Sequence, residues 1–259
     1  MLIDSHVNLH APQFDADREA VIVRAREAGV RLMINISDKV SGFDKVKAVA
    51  EGQADIFLTV GTHPHDTKEN PSLDTETLCK LAKTPKVVGI GETGLDFHYD
   101  LSPRDVQASV FRAHIAAART TGLPLIVHAR EADDVMAQIL EEEYAAGAFK
   151  MLMHCYTSGA ELARRTAALG AWFSVSGIAT FMAADEVRAV IADMPGDRML
   201  VETDCPYLAP APMRGRRNEP AFLPHVLSKL AEIRGWSLAE AEARTGAAFF
   251  ALFDRVPRP

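Results

Sequence analysis

Val87–Gly94 reads VVGIGETG, an apolar run that stops on Glu92. A strand that is apolar at consecutive rather than alternate positions must be covered on both faces, the condition of a strand inside a parallel sheet. A carboxylate at the end of such a strand stands where parallel α/β proteins present their chemistry. Seven other stretches share this form: MLIDSH (1–6), RLMINIS (31–37), IFLTVGTH (56–63), PLIVHA (124–129), KMLMHC (150–155), AWFSVSG (171–177) and MLVETD (199–204). Between them lie helix-like segments such as ADREAVIVRAREAG (16–29) and PRDVQASVFRAHIAAARTTG (103–122), each closed by a glycine where helices commonly end. Eight strand-and-helix units predict an α/β fold, a single (β/α)8 TIM barrel spanning residues 1–259 as one domain.

Composition narrows the class. Hydrophobic residues make up 48% and charged residues 24% of the chain, and no apolar stretch approaches the ~18 residues of a membrane span. The N-terminus carries no basic segment leading into a long apolar one, and the three cysteines are odd in number and widely spaced. Both features predict a cytoplasmic protein without a disulfide framework. No obligate protein partner is evident. A net charge of −7 gives no general attraction for nucleic acid, so a polyanionic substrate needs local help from metal ions or a basic loop.

The polar residues of the eight stretches are concentrated at one end. His6, His63, Glu92, His128, His154, Ser176 and Asp204 each fall at or just beyond the end of a different apolar run. In a parallel barrel those ends share one rim, where active sites are built, so residues distant in sequence converge. Imidazoles with carboxylates form a mixed nitrogen and oxygen ligand set suited to Zn, Mn, Fe or Ni, and a larger oxygen share favours Mn or Mg. A lone histidine at a strand end is more often a hydrogen-bonded rim residue than a ligand. Four histidines with two carboxylates are different, because clustered carboxylates without a cation repel one another. Two metals bridged by a carboxylate, for which Glu92 is the candidate, could stabilise the attacking and leaving oxygens of a phosphate ester.

In order and spacing, DSH (4–6), GTHPHD (61–66), GIGETGLD (89–96), PLIVHAR (124–130), MHCYTSG (153–159), FSVSGIATF (173–181) and VETDCPYLAP (201–210), followed by RGRRNEP (214–220), resemble the TatD family of metal-dependent deoxyribonucleases. That family lies within the amidohydrolase superfamily, and the resemblance covers essentially the whole chain. It implies a hydrolase that cleaves phosphodiester bonds of DNA, from an end or on single strands, with two divalent metal ions (Mg, Mn or Zn). His6 would ligate the first metal, Glu92 would bridge the pair, and His128 and His154 would ligate the second. Asp204 would bind the first metal and orient or deprotonate the attacking water, while His63 and His65 would face the scissile phosphate.

At one position the chain departs from the family pattern, which has a His-x-His pair on the first strand where this sequence has His6 and Asn8. A carboxamide oxygen is neutral and a poorer donor than imidazole for a transition metal, so Asn8 predicts a weaker first site. His10 lies about 13 Å further along an extended strand and could replace it only if the chain folds back. The centre could be a working pair tuned to Mg or Mn, could hold one tight metal, or could be inactive; the other ligands favour a functional hydrolase. Alternatives on the same barrel are hydrolysis of an aminoacyl-tRNA ester or a cyclic amide, or non-catalytic binding of nucleic acid or another partner.

Arg214, Arg216 and Arg217 form the one strong basic cluster and could meet phosphates beside the rim. Asp96 and Glu202 could hydrogen-bond to metal-binding histidines. Strand alternation predicts that Cys155 and Cys205 point toward the helices if His154 and Asp204 point inward. Trp172, Trp236, Phe249 and Phe250 are expected in the core, and Ser237 with Glu240 forms a capping box that starts a final helix closing the barrel.

Overall fold

The computed structural model describes residues 1–258. Eight strands form one parallel sheet in chain order: β1 (Leu2–Val7), β2 (Val30–Asn35), β3 (Ile56–Val60), β4 (Val87–Asp96), β5 (Leu125–Arg130), β6 (Met151–Met153), β7 (Trp172–Val175) and β8 (Met199–Val201). A parallel bridge between Val7 and Cys205 brings the first strand against the segment after the last, and the Asn8 amide donates to the Cys205 carbonyl at 3.0 Å. The expected (β/α)8 barrel is therefore present. All eight strands coincide with the apolar runs, but β6, β7 and β8 end before His154, Ser176 and Asp204, which lie in the turns beyond them. No helix among the described residues is long and apolar enough to cross a membrane.

Among the described residues nine α-helices accompany the strands: α1 (Arg18–Glu27), α2 (Phe43–Ala50), α3 (Thr75–Leu81), α4 (Arg104–Thr121), α5 (Asp133–Ala146), α6 (Ala160–Ala168), α7 (Asp185–Asp193), α8 (Leu223–Arg234) and α9 (Leu238–Leu252). Helix α4 ends as the sequence predicts, with Gly122 at φ 72° accepting the left-handed turn. It buries Val110, Phe111, Ile115 and Ala118, one face of a 3.6-residue period. At the start of α9 the Ser237 hydroxyl accepts the Glu240 amide at 3.2 Å. Only half of the expected capping box forms, because the Glu240 carboxylate turns to Arg244 at 2.8 Å instead of reaching back to Ser237.

Alternation along the strands divides the core into two layers. Leu2, Met33, Leu58, Ile90 and Val127 pack with the helices, whereas Ile3, Ile34, Phe57, Val88, Ile126, Leu152 and Leu200 face the barrel interior. The interior layer continues into Phe249, Leu252 and Phe253 of α9 and its end, which close the barrel at the N-terminal ends of the strands. Trp172 and Trp236 are half-buried against these layers. Each such side chain contributes about 1.5–3 kcal/mol by leaving water.

Backbone packing near the site also restricts side-chain size. Gly94, at φ 141°, lies where a Cβ would fall 2.0 Å from the His128 carbonyl oxygen, so β4 and β5 approach closely only because no side chain intervenes. The apolar plug is distant from that rim. Phe253→Ala is therefore expected to lower unfolding free energy by about 3–5 kcal/mol in denaturant titrations while metal stoichiometry is retained; an unchanged midpoint would show that α9 does not seal the core.

Candidate metal centre

Glu92 is the hub of the site. One carboxylate oxygen, Oε1, lies 2.8 Å from His154 Nε2, 3.1 Å from His128 Nδ1 and 3.4 Å from His63 Nε2. The other, Oε2, lies 3.3 Å from His6 Nε2. His6 Nε2 is in turn 3.6 Å from Asp204 Oδ1, and Asn8 Nδ2 donates to the same oxygen at 3.2 Å. The candidate donor atoms of His6, Glu92 and His154 lie within 4.8 Å of one another, as do those of His63, Glu92 and His128. His154 is thus shared between neighbourhoods: it stacks on His6 with ring centroids 4.1 Å apart while touching the same Glu92 oxygen as His128.

A second line of carboxylates orients these rings. Asp96 Oδ2 meets His65 Nε2 at 2.8 Å and His128 Nε2 at 3.1 Å, and Glu202 Oε1 meets His154 Nδ1 at 3.2 Å. These contacts match the sequence expectation for Asp96 and Glu202. His63 is pinned differently: its Nδ1 accepts the His65 backbone amide at 3.2 Å, so the neutral ring carries its proton on Nε2, facing Glu92. His65 is a quarter exposed and meets His63 edge-on rather than touching Glu92.

The charges are interdependent. Burial alone would raise the Glu92 carboxyl, but His154, His63, His6 and His128 outweigh it and hold it well below the usual carboxylate range. Burial opposes protonation of His154 and His128, yet Glu92 with Glu202 in one case and Asp96 with Glu92 in the other push both above the ordinary imidazole value. His63 is lowered to about 3 by burial and by its histidine neighbours. Asp204 is raised to about 6 by burial, with His6 and His154 opposing and the nearby Glu92 and Glu202 adding to the rise.

His6 tests whether cations fit. Its side chain is fully buried, and neither ring nitrogen has a hydrogen-bond partner. An orphaned buried imidazole aimed between two carboxylates is costly as a structural residue and natural as a ligand. His6, Glu92, His128, His154 and Asp204 together supply the donors that one or two divalent ions require.

The structure places the remaining candidates as follows. Asn8 faces the centre beside Asp204. The chain does turn after Asn8, with the Ala11 amide bonded to the Asn8 carbonyl, but His10 swings to Asp38 at 3.3 Å instead of joining Glu92. None of the three loop arginines lines the central cavity: Arg214 stacks on Phe181, Arg216 is exposed, and Arg217 is bound to Asp17 at 2.7 Å. Cys155 departs from the alternation argument. Because β6 ends at Met153 and Cys155 adopts φ 43°, its thiol lines the cavity beside Ser176 at 3.1 Å. Burial pushes that thiol well above its ordinary value, so it stays protonated rather than offering a thiolate. Sequence reasoning missed Tyr99 and Tyr207, which also line the cavity.

A parallel barrel with imidazoles and carboxylates gathered at the C-terminal rim defines a metal-dependent hydrolase of the TIM-barrel class. A family model described as TatD related DNase matches residues 3–254, and the chain belongs to that family. It is 38% identical over 245 residues to an uncharacterized metal-dependent hydrolase, YabD, of Bacillus subtilis strain 168, covering 95% of this chain and 96% of that protein. It is 37% identical over 251 residues to a protein of Pantoea vagans named 3'-5' ssDNA/RNA exonuclease TatD, covering 94% and 95%. Among solved structures, the TatD homologue YJJV of Escherichia coli K12 superposes with a TM-score of 0.91 at 29% identity, covering 99% of this chain and 98% of the other.

Two measurements probe the centre. Histidines bind metal as neutral rings and His128 and His154 are both shifted toward protonation, so metal loading should release protons and affinity should fall as pH falls. Calorimetry in buffers of different ionisation heat reads this directly; a buffer-independent heat would mean the rings start neutral. Asn8→His should tighten the weaker metal-binding step about tenfold by adding an imidazole, and unchanged affinity in metal titrations would show that Asn8 does not ligate.

Proposed function

We propose that the protein is a divalent-metal-dependent phosphodiesterase acting on DNA, from an end or on single strands, with two metal ions drawn from Mg, Mn or Zn. The observation that carries this reading is the buried Glu92 carboxylate, approached on one oxygen by His128 and His154 and on the other by His6 with Asp204 nearby. That arrangement supports Glu92 as the bridge, His6, Asp204 and the weaker donor Asn8 at one position, and His128 with His154 at the other. The names of relatives such as the Pantoea vagans exonuclease point to the same substrate class.

Divalent cations held by these residues would supply positive charge that offsets the phosphodiester anion and would lower the pKa of water. Asp204 orients the attacking water and accepts its proton as the new phosphorus–oxygen bond forms. His63, kept neutral and carrying its proton on Nε2, donates a hydrogen bond to a phosphoryl oxygen. His65, held by Asp96, would donate a proton to the ester oxygen as the old phosphorus–oxygen bond breaks, solvent resupplying His65 and taking up the proton that Asp204 removed from water. The cavity above the centre, about 510 Å³, lies in the range that holds a nucleotide-sized group.

Glu92→Ala tests the assignment. Metal analysis and cleavage of a short single-stranded oligonucleotide should both be followed. Loss of bound metal together with at least a 10³-fold fall in rate is expected, and near-normal cleavage by metal-analysed variant would end the bridging role. Cleavage of an aminoacyl ester or cyclic amide by wild-type protein, without oligonucleotide cleavage, would instead select the alternative substrates.

A further inference from the structure

The chain buries or half-buries nearly all its aromatic surface. Among the described Phe, Tyr and Trp side chains only Tyr99 and Tyr207 are exposed, at 52% and 54%, and both line the cavity over the metal centre. They reach it from two different loops, the one after β4 and the one after β8. The Tyr99 ring meets His65 edge-on with centroids 5.3 Å apart. Tyr207 follows Asp204 by three residues, its amide bonded to the Asp204 carbonyl at 3.0 Å. It also lines an adjoining hollow that contains Asn8 and Glu92.

The backbone that carries each ring is anchored. Asp96 Oδ1 accepts the backbone amides of His98 and Tyr99 at 3.1 and 2.9 Å, while Oδ2 of the same carboxylate holds His65 and His128. The position of Tyr99 is therefore registered to the imidazoles of the site. The Arg130 guanidinium lies 5.0 Å from the Tyr99 ring centroid and makes no ion pair among the described residues. Asn218 Nδ2 donates to the Tyr207 carbonyl at 2.6 Å and to that of Thr203 at 2.8 Å, fixing the second platform to the end of β8.

Resting on the phosphodiesterase reading above, we propose that Tyr99 and Tyr207 are stacking platforms for the nucleobases flanking the scissile phosphate, which restricts the site to unpaired strands and makes it tolerant of base identity. Every base offers a π face, so stacking selects for an unstacked strand without reading its sequence. In a duplex those faces are covered by neighbouring base pairs. Arg130 stiffens one platform and leaves its charge available for the backbone of the strand.

The test uses the metal-loaded full-length protein and two fluorescently labelled oligonucleotides, one ordinary single strand and one with abasic sites on both sides of the central linkage. Binding by anisotropy and cleavage are measured in parallel. Wild-type protein should prefer the base-bearing strand, and that preference should fall roughly 5- to 20-fold in Tyr99→Ala and in Tyr207→Ala while surviving in Tyr99→Phe. Equal binding of both strands by wild type, or the same preference in the alanine variants, overturns the platforms. Base-dependent binding without any cleavage overturns the hydrolytic reading and leaves the platforms standing.

Discussion

A carboxylate excluded from water must be compensated, and the architecture of this barrel follows from compensating one. Glu92 is 6% exposed and has imidazoles from four separate chain segments within 3.4 Å of its oxygens. No local stretch of sequence could deliver four such rings, because strand side chains two apart on one face are already nearly 7 Å apart. A parallel barrel delivers them by aligning strand ends. Interior packing and glycine-limited strand spacing thus matter to chemistry as well as stability, since they set how closely those ends approach.

The closure of the barrel is linked to the same centre. Asp4 on β1 accepts the Thr203 amide at 3.0 Å and the Thr203 hydroxyl at 2.7 Å, joining the first strand to the turn after the last. The neighbouring residues on either side of this staple are His6 and Asp204, 3.6 Å apart across the seam. Glu202 beside this seam and Asp96 on β4 each fix a histidine by its far nitrogen. Such outer contacts hold ring orientation against the rotation that a lone strand-end side chain would otherwise have.

Much of this was legible in the sequence, for identifiable reasons. Consecutive apolar positions marked all eight strands, and polar residues confined to one end of each run marked the rim; Glu92, His128, His154, His6 and Asp204 meet there as the motifs imply. What periodicity does not fix lies beyond the strand ends. Cys155 was assigned by strand alternation, but the strand ends two residues earlier and a left-handed backbone turns the thiol inward. Arg214, Arg216 and Arg217 are close to the rim in sequence, yet Arg217 is drawn to Asp17 on a distant segment. Tyr99 and Tyr207 sit in loops, where no periodicity reports which way a side chain points.

The apolar stopper formed by Phe249, Leu252 and Phe253 has a consequence beyond stability. A barrel sealed at its floor has one mouth, so a long polymer cannot be threaded through it like a rope through a ring. Whatever enters must lie across the opening, and cut pieces must leave by the side they came from. Entry and exit share one doorway, and traffic through it becomes part of the turnover cycle.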